Sequence, residues 1–179
     1  MTLIRDDGPG VEAKEESNVS QLELETPEDL LRMQLRTART MEDDSLAALG
    51  ELAEAAVSAD IKKLFRHHAD ETKQQIENLR EVFRLLEIPE STAASPSTKG
   101  ISKQAESLIS RSAPALRDQV TLSAALGNEH YEMAAYEGLI TPLRAMGAAD
   151  ALKLLEENCE QEIHASEELS NRLKELVGG

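Results

Sequence analysis

Aromatic side chains are nearly missing from this 179-residue chain, which has no tryptophan, two phenylalanines and two tyrosines. Core volume must therefore come from leucine, alanine, isoleucine, valine and methionine, an inventory that favours helices over sheets. Cysteine is just as scarce. Cys159 stands alone, so neither an intramolecular disulfide nor a CxxC metal or redox motif can form, and a reducing, cytoplasmic setting is expected. Positive charge is in deficit, with 19 Lys and Arg against 34 Asp and Glu and a net charge of -15. That balance excludes nucleic acid and anionic membrane surfaces as partners, because too little basic charge is present to neutralise a row of phosphates. Cations are the natural guests. No run of 18 apolar residues occurs, and the opening residues hold nothing like the apolar core of a signal peptide, so neither a membrane span nor export is expected.

What is present is helical periodicity. Residues 1–25 are polar, acidic and aperiodic, and read as a disordered arm. Thr26-Pro27-Glu28-Asp29 then supplies an N-cap, a proline at the first helical position and two acids in the first turn, which starts helix A at about 27–57. Its apolar stripe runs Leu31, Leu35, Ala38, Glu42, Ser45, Leu49, Leu52 and Ala56, alternating steps of four and three. Helix B, about 60–88, has the stripe Ile61, Phe65, His68, Thr72, Ile76, Leu79, Phe83 and Leu86. Pro89 ends it. The small, polar segment Glu90 to Gly100 reads as a connection, followed by a weak helix over Ile101 to Ser110. That crossover, 89–113, is far longer than adjacent bundle helices need, and long enough to span a bundle. Helix C, about 114–145, has the stripe Leu122, Leu126, Glu129, Met133, Tyr136 and Ile140. Helix D, about 149–177, has Leu152, Leu155, Cys159, Glu162, Ser166, Leu169, Leu173 and Leu176. The expected fold is all-α: a ferritin-like four-helix bundle of two antiparallel hairpins joined by a long crossover with a short extra helix.

Each long helix carries an ionisable residue near the middle of its apolar stripe. Burying one isolated carboxylate costs several kcal/mol, and converging acids need a common cation, which a pair of divalent metal ions supplies. Glu42 lies about four residues farther from the A/B turn than Glu71, an axial offset of roughly 6 Å, and Glu129 and Glu162 repeat that stagger about the second turn. Such an offset suits two metal ions about 3.5–4 Å apart. The expected ligands are Glu42, His68, Glu71, Glu129, Glu132 and Glu162, a hard or borderline donor set that suits iron or manganese. Gln75, Tyr136 and, on the flank of helix C, His130 are placed to hydrogen-bond to those ligands. His67 and His164 are expected in solvent, Cys159 in the core, and Glu156, Glu157, Glu167 and Glu168 on the wet face of D. A single glutamate of this kind is usually a snorkelling or salt-bridged residue. Six together carry the metal reading.

The runs LGELAEAAVSADIK, HHADETKQQIENLREVF, LRDQVTLSAALGNEHYEMAAYEGL and LLEENCEQE resemble the YciE and YciF group of ferritin-like stress-response proteins, over roughly Pro27 to Leu176. The EHYEMAAY and HxxETxxQI stretches are its most specific carriers. The resemblance implies a ferritin-like fold with a di-metal centre at the Glu and His positions named above, in a protein that is often a homodimer. Three features depart from the group: ARTMEDDS around Glu42, Ser166 where an acid is common, and no second ligand histidine on D. The expected role is thus handling of iron, dioxygen or peroxide under stress, as a ferroxidase, a catalase-like enzyme or a non-catalytic store. The alternative is a structural or interaction bundle whose metal site has degenerated.

Overall fold

The computed structural model describes residues 23–178, so nearly all of the expected acidic arm lies outside the described residues. Five α-helices follow: α1 Pro27–Ala55, α2 Ala59–Leu85, α3 Pro96–Arg111, α4 Arg117–Met146 and α5 Ala149–Gly178, with a 3₁₀ turn at Pro114–Leu116. No strand occurs among the described residues. The start of α1 is a capping box in which the Asp29 amide donates to Thr26 Oγ1 at 3.1 Å and the Thr26 amide donates to Asp29 Oδ2 at 3.1 Å. At the end of α4, Gly147 adopts a left-handed φ of 73°, and the Ala148 amide returns to the Leu143 carbonyl, which lets α5 fold back at once.

α1 packs on α2 and α4, and α5 packs on α4 and α2, so α1/α5 and α2/α4 are the diagonals of a four-helix square. Adjacent helices are antiparallel. Along α1 and α4 the Ser45–Asn128 contact is followed by one from Val57 to Asp118, and along α2 and α5 His68 meets Glu168 while Asn78 meets Asn158. α2 and α4 therefore run the same way, and the crossover must carry the chain back along the bundle. α3 does this, lying over α1 and α4.

α3 is longer than the sequence suggests. The segment Pro96 to Gly100, read above as connection, is helical: Ser95 Oγ accepts from the Thr98 amide at 3.5 Å, and Pro96 occupies the first turn, where a missing N–H costs nothing. The N-terminus of α2 is secured differently. Ser58 makes no side-chain cap bond there, and the carboxylate of Asp118, from α4, accepts from the Val57 amide at 2.6 Å and the Ser58 amide at 3.2 Å.

The apolar core is in two pieces. One joins Leu31, Leu35, Met41, Leu79, Phe83 and Leu143 with their neighbours at the A/B-loop-distal end. The other joins Leu49, Leu52, Ile61, Phe65, Leu122 and Leu169 at the opposite end. Between them lies a layer of buried polar residues contributed by all four long helices.

Candidate metal centre

Glu42 from α1, His68 from α2, Glu129 and Glu132 from α4 and Glu162 from α5 all fall in that layer, each no more than 3% exposed. The i, i+3 spacing of Glu129 and Glu132 puts both on the inner face of α4. Carboxylate oxygens of Glu129, Glu132 and Glu162 come within 4.8 Å of one another. Among the described residues no Lys or Arg nitrogen lies within ion-pair distance of any of the four glutamates.

Electrostatics follow from that crowding. Burial, then the charge of Glu162, raises the Glu42 carboxyl well above the usual 4.5 against the pull of the Tyr136 hydroxyl. Burial and a hydrogen bond shared with Glu162 do the same to Glu129, and burial with the charges of Glu162 and Glu42 does so to Glu132. Burial also raises Glu162, although Glu129 and Gln75 donate to it. Burial lowers His68, which favours its neutral, metal-competent form. Oε2 of Glu42, Oε1 of Glu132, Oε1 of Glu162 and Nδ1 of His68 are buried without a hydrogen-bond partner. Buried polar atoms seldom go unsatisfied.

The remaining expected residues divide. Glu71 sits at the rim with its side chain 25% exposed, 3.7 Å from His67 Nε2, and reaches Glu162 and His68 only through its charge. Gln75 is buried and donates to Glu162, and Tyr136 donates to Glu42 Oε1. His130 is not part of the buried polar layer. It is exposed, and its Nδ1 donates to the Leu126 carbonyl one turn back at 3.0 Å, as its 100° offset from Glu129 dictates. His67 and His164 are exposed and Cys159 is half-buried against the core. Glu168, placed above on the wet face of D, has an exposed stem but reaches His68 Nε2 at 3.3 Å.

Two residues escaped the sequence reading altogether. Asn158 is wholly buried and Asn78 nearly so. Asn78 Nδ2 donates to Asn158 Oδ1 at 2.7 Å, while Asn158 Nδ2 donates to the Gln75 carbonyl at 3.2 Å and to Tyr136 Oη at 2.9 Å. A backbone carbonyl can only accept, so it fixes which end of the Asn158 amide faces it. Tyr136 Oη therefore accepts from Asn158 and must spend its own proton on Glu42 Oε1. Glu42 is left with Oε2 buried and without a hydrogen-bond partner. The signal was available: the Asn78–Asn158 and His68–Glu168 pairs have residue numbers adding to the same total, as one antiparallel register requires.

A four-helix bundle with ferritin-like connectivity and a buried carboxylate layer is the class that this arrangement defines. The sequence profile described as a domain of unknown function (DUF892) matches residues 26–178, and the chain belongs to that family. Protein YciF of Escherichia coli (strain K12) is 30% identical over 145 residues, covering 79% of this chain and 86% of that protein. The crystal structure of the E. coli stress protein YciF superposes with a TM-score of 0.82 at 28% identity, covering 87% of this chain and 99% of that one. YcfI from Rhodopseudomonas palustris, described as a candidate structural protein, superposes with a TM-score of 0.80 at 30% identity, covering 84% and 96%. No helix among the described residues is long and apolar enough to cross a membrane.

Proposed function

We propose that this protein is a ferritin-like, non-haem carboxylate protein that holds two divalent ions, iron or manganese, and handles iron, dioxygen or peroxide in a stress response. One observation carries the reading: four glutamates are buried together with, among the described residues, no Lys or Arg nitrogen at ion-pair distance, and three of them, with His68, leave buried atoms unpartnered. Water or a counter-charge must meet such atoms, and oxygen donors with one imidazole nitrogen are the chemistry of iron and manganese sites.

Glu129, Glu132 and Glu162 would form the shared part of the site, with Glu42 offering Oε2 and His68 offering Nδ1. Glu71, at the rim, would complete the set by turning inward. Iron or manganese, when bound, supplies one-electron oxidation chemistry at a dry site. The chain's own groups do the rest. Glu168 holds the far nitrogen of His68 and so orients the ring, Gln75 orients Glu162, and Tyr136 fixes the rotation of Glu42. The apolar layers on both sides exclude bulk water, which strengthens each of these interactions.

Elemental analysis of protein purified without a histidine tag tests the proposal. About two equivalents of iron or manganese per chain are expected, as a two-metal site requires, falling sharply in Glu129→Gln. A metal-free wild type after reconstitution, or an unchanged content in the variant, overturns it. A structural or interaction role is favoured by the absence of a second histidine ligand on α5, where His164 faces solvent. That reading expects the melting temperature to be the same with and without EDTA.

A further inference from the structure

α3 is held to the bundle at its ends and not along its length. At the start Thr98, its one buried residue, donates through Oγ1 to Asp44 Oδ2 at 2.6 Å, with Lys99 3.4 Å from the same carboxylate. At the far end the chain enters α4, where Asp118 accepts from the Val57 and Ser58 amides. Between these clamps no residue from Lys99 to Arg117 is buried, whereas α5 buries seven between Ala151 and Leu169. The side-chain hydrogen bonds of Ser110, Arg111 and Ser112 all return to carbonyls of α3 itself. What joins the span to α1 and α4 is apolar contact through Ile101, Ala105 and Ile109, each only half-buried. Gly100, a poor helix former, follows the first clamp, and Pro114 begins the break before the second.

Underneath lie Leu49 and Leu52 of α1 and Ala125 and Glu129 of α4, each no more than 6% exposed. Ala125 and Glu129 are one turn apart on the same face of their helix. We infer that the span from Lys99 to Arg117 is a hinged strap that swings away as a unit while the four long helices stay folded, and that this opening is what brings the Glu129 edge of the carboxylate layer into contact with solvent. Local opening costs least where buried apolar contacts are few and contact density is low. The long helices, interlocked by two apolar clusters, lack that option. Opening belongs to the metal-free chain, so it stands apart from the metal-centre reading.

Thiol labelling of the full, metal-free chain tests this, with Cys159→Ser removing the native thiol. A thiol placed by Ala125→Cys lies under the strap, and one placed by Ala38→Cys is as deeply buried in the other apolar cluster. With dithionitrobenzoate in excess, the first should react on the order of a hundredfold faster than the second, yet at least about tenfold slower than in the urea-unfolded chain. Below the unfolding midpoint its rate should rise only weakly with urea, because little surface is exposed, while the second rises steeply. Ile109→Ala, which trims the strap's apolar contact, should speed the first about fivefold. Equal rates and urea slopes at the two positions, labelling under the strap as fast as in the unfolded chain, or no response to Ile109→Ala overturns the inference. Should a cysteine variant fail to fold, hydrogen exchange of the wild type reads the same opening. Amides of residues 102–111 should exchange on the order of a hundredfold faster than those of 122–140, and equal protection overturns the strap.

Discussion

Replacing Asn158 with leucine removes a side chain of similar size and three hydrogen bonds, and its effect should travel from the α2/α5 interface to the carboxylates. Asn158 is wholly buried, so Asn78 Nδ2 loses its acceptor and the Gln75 carbonyl a donor. A buried polar group left unsatisfied costs about 1–3 kcal/mol. Asn78 keeps its bond from Gln74, and the Gln75 carbonyl sits within a helix, so the total should be about 3 kcal/mol. For a chain of this length that lowers the melting temperature by roughly 6–12 °C. The second consequence concerns metal. Without the Asn158 donor the Tyr136 oxygen loses the bond that positions it against Glu42, and loss of such outer hydrogen bonding weakens metal affinity about 10–100-fold. Titration calorimetry with manganese should therefore show about tenfold weaker binding in Asn158→Leu and in Tyr136→Phe. The double variant should be scarcely weaker than either, because both act through the same proton. Multiplicative losses in the double variant, or unchanged affinity in Asn158→Leu, would refute the forced donor order.

Glu42, Glu129, Glu132 and Glu162 all have folded-state values raised above 4.5. Their contribution is complete below the unfolded value and is lost as pH rises through the folded values, so the metal-free chain should melt higher near about pH 5 than near about pH 8. Glu132→Gln should flatten that slope in EDTA, and a variant as pH-sensitive as the wild type would contradict the crowding argument. Asp118→Ala should cost about 1–2 kcal/mol by uncapping α2, seen as a lower urea midpoint, with metal content unchanged. A loss of metal in that variant would mean that the two ends of the bundle are not independent of its middle.

The stripes of α1 and α2 were legible in the sequence because their buried faces keep the alternating three-and-four spacing, and every seam residue from Leu31 to Ala56 and from Ile61 to Phe83 is buried. α4 was read less well. It packs against α1, α5 and α3 together, so its buried arc widens to include Ala125, Glu132, Leu139 and Leu143, while Leu126 and Met133 are only half-buried. On α5, Leu155 and Glu162 allow either residue 158 or residue 159 between them at helical spacing. Polarity favoured Cys159, yet the structure buries Asn158, because Asn78 meets it across the interface. α3 was half-seen, since the serine, threonine, proline and glycine of 95–100 signal a loop and a helix start equally well.

The split core explains how a fold tolerates a layer of buried acids. Each fully buried leucine or phenylalanine contributes about 1.5–3 kcal/mol, and both apolar clusters hold several. They clamp the four helices at either end of the bundle, so the polar layer between them need not be stabilising itself. The acids at that level are held close by packing that they oppose. A ligand that binds the folded chain and not the unfolded one adds stability in proportion to the logarithm of its concentration over its dissociation constant. Divalent iron or manganese should therefore raise the melting temperature of the wild type and leave Glu129→Gln nearly unmoved. The increment should be largest near about pH 8, where the metal-free acids repel one another most. An equal increment in wild type and variant would place the ions on the acidic surface, and the carboxylate layer would then be a cost that the two apolar clusters bear alone.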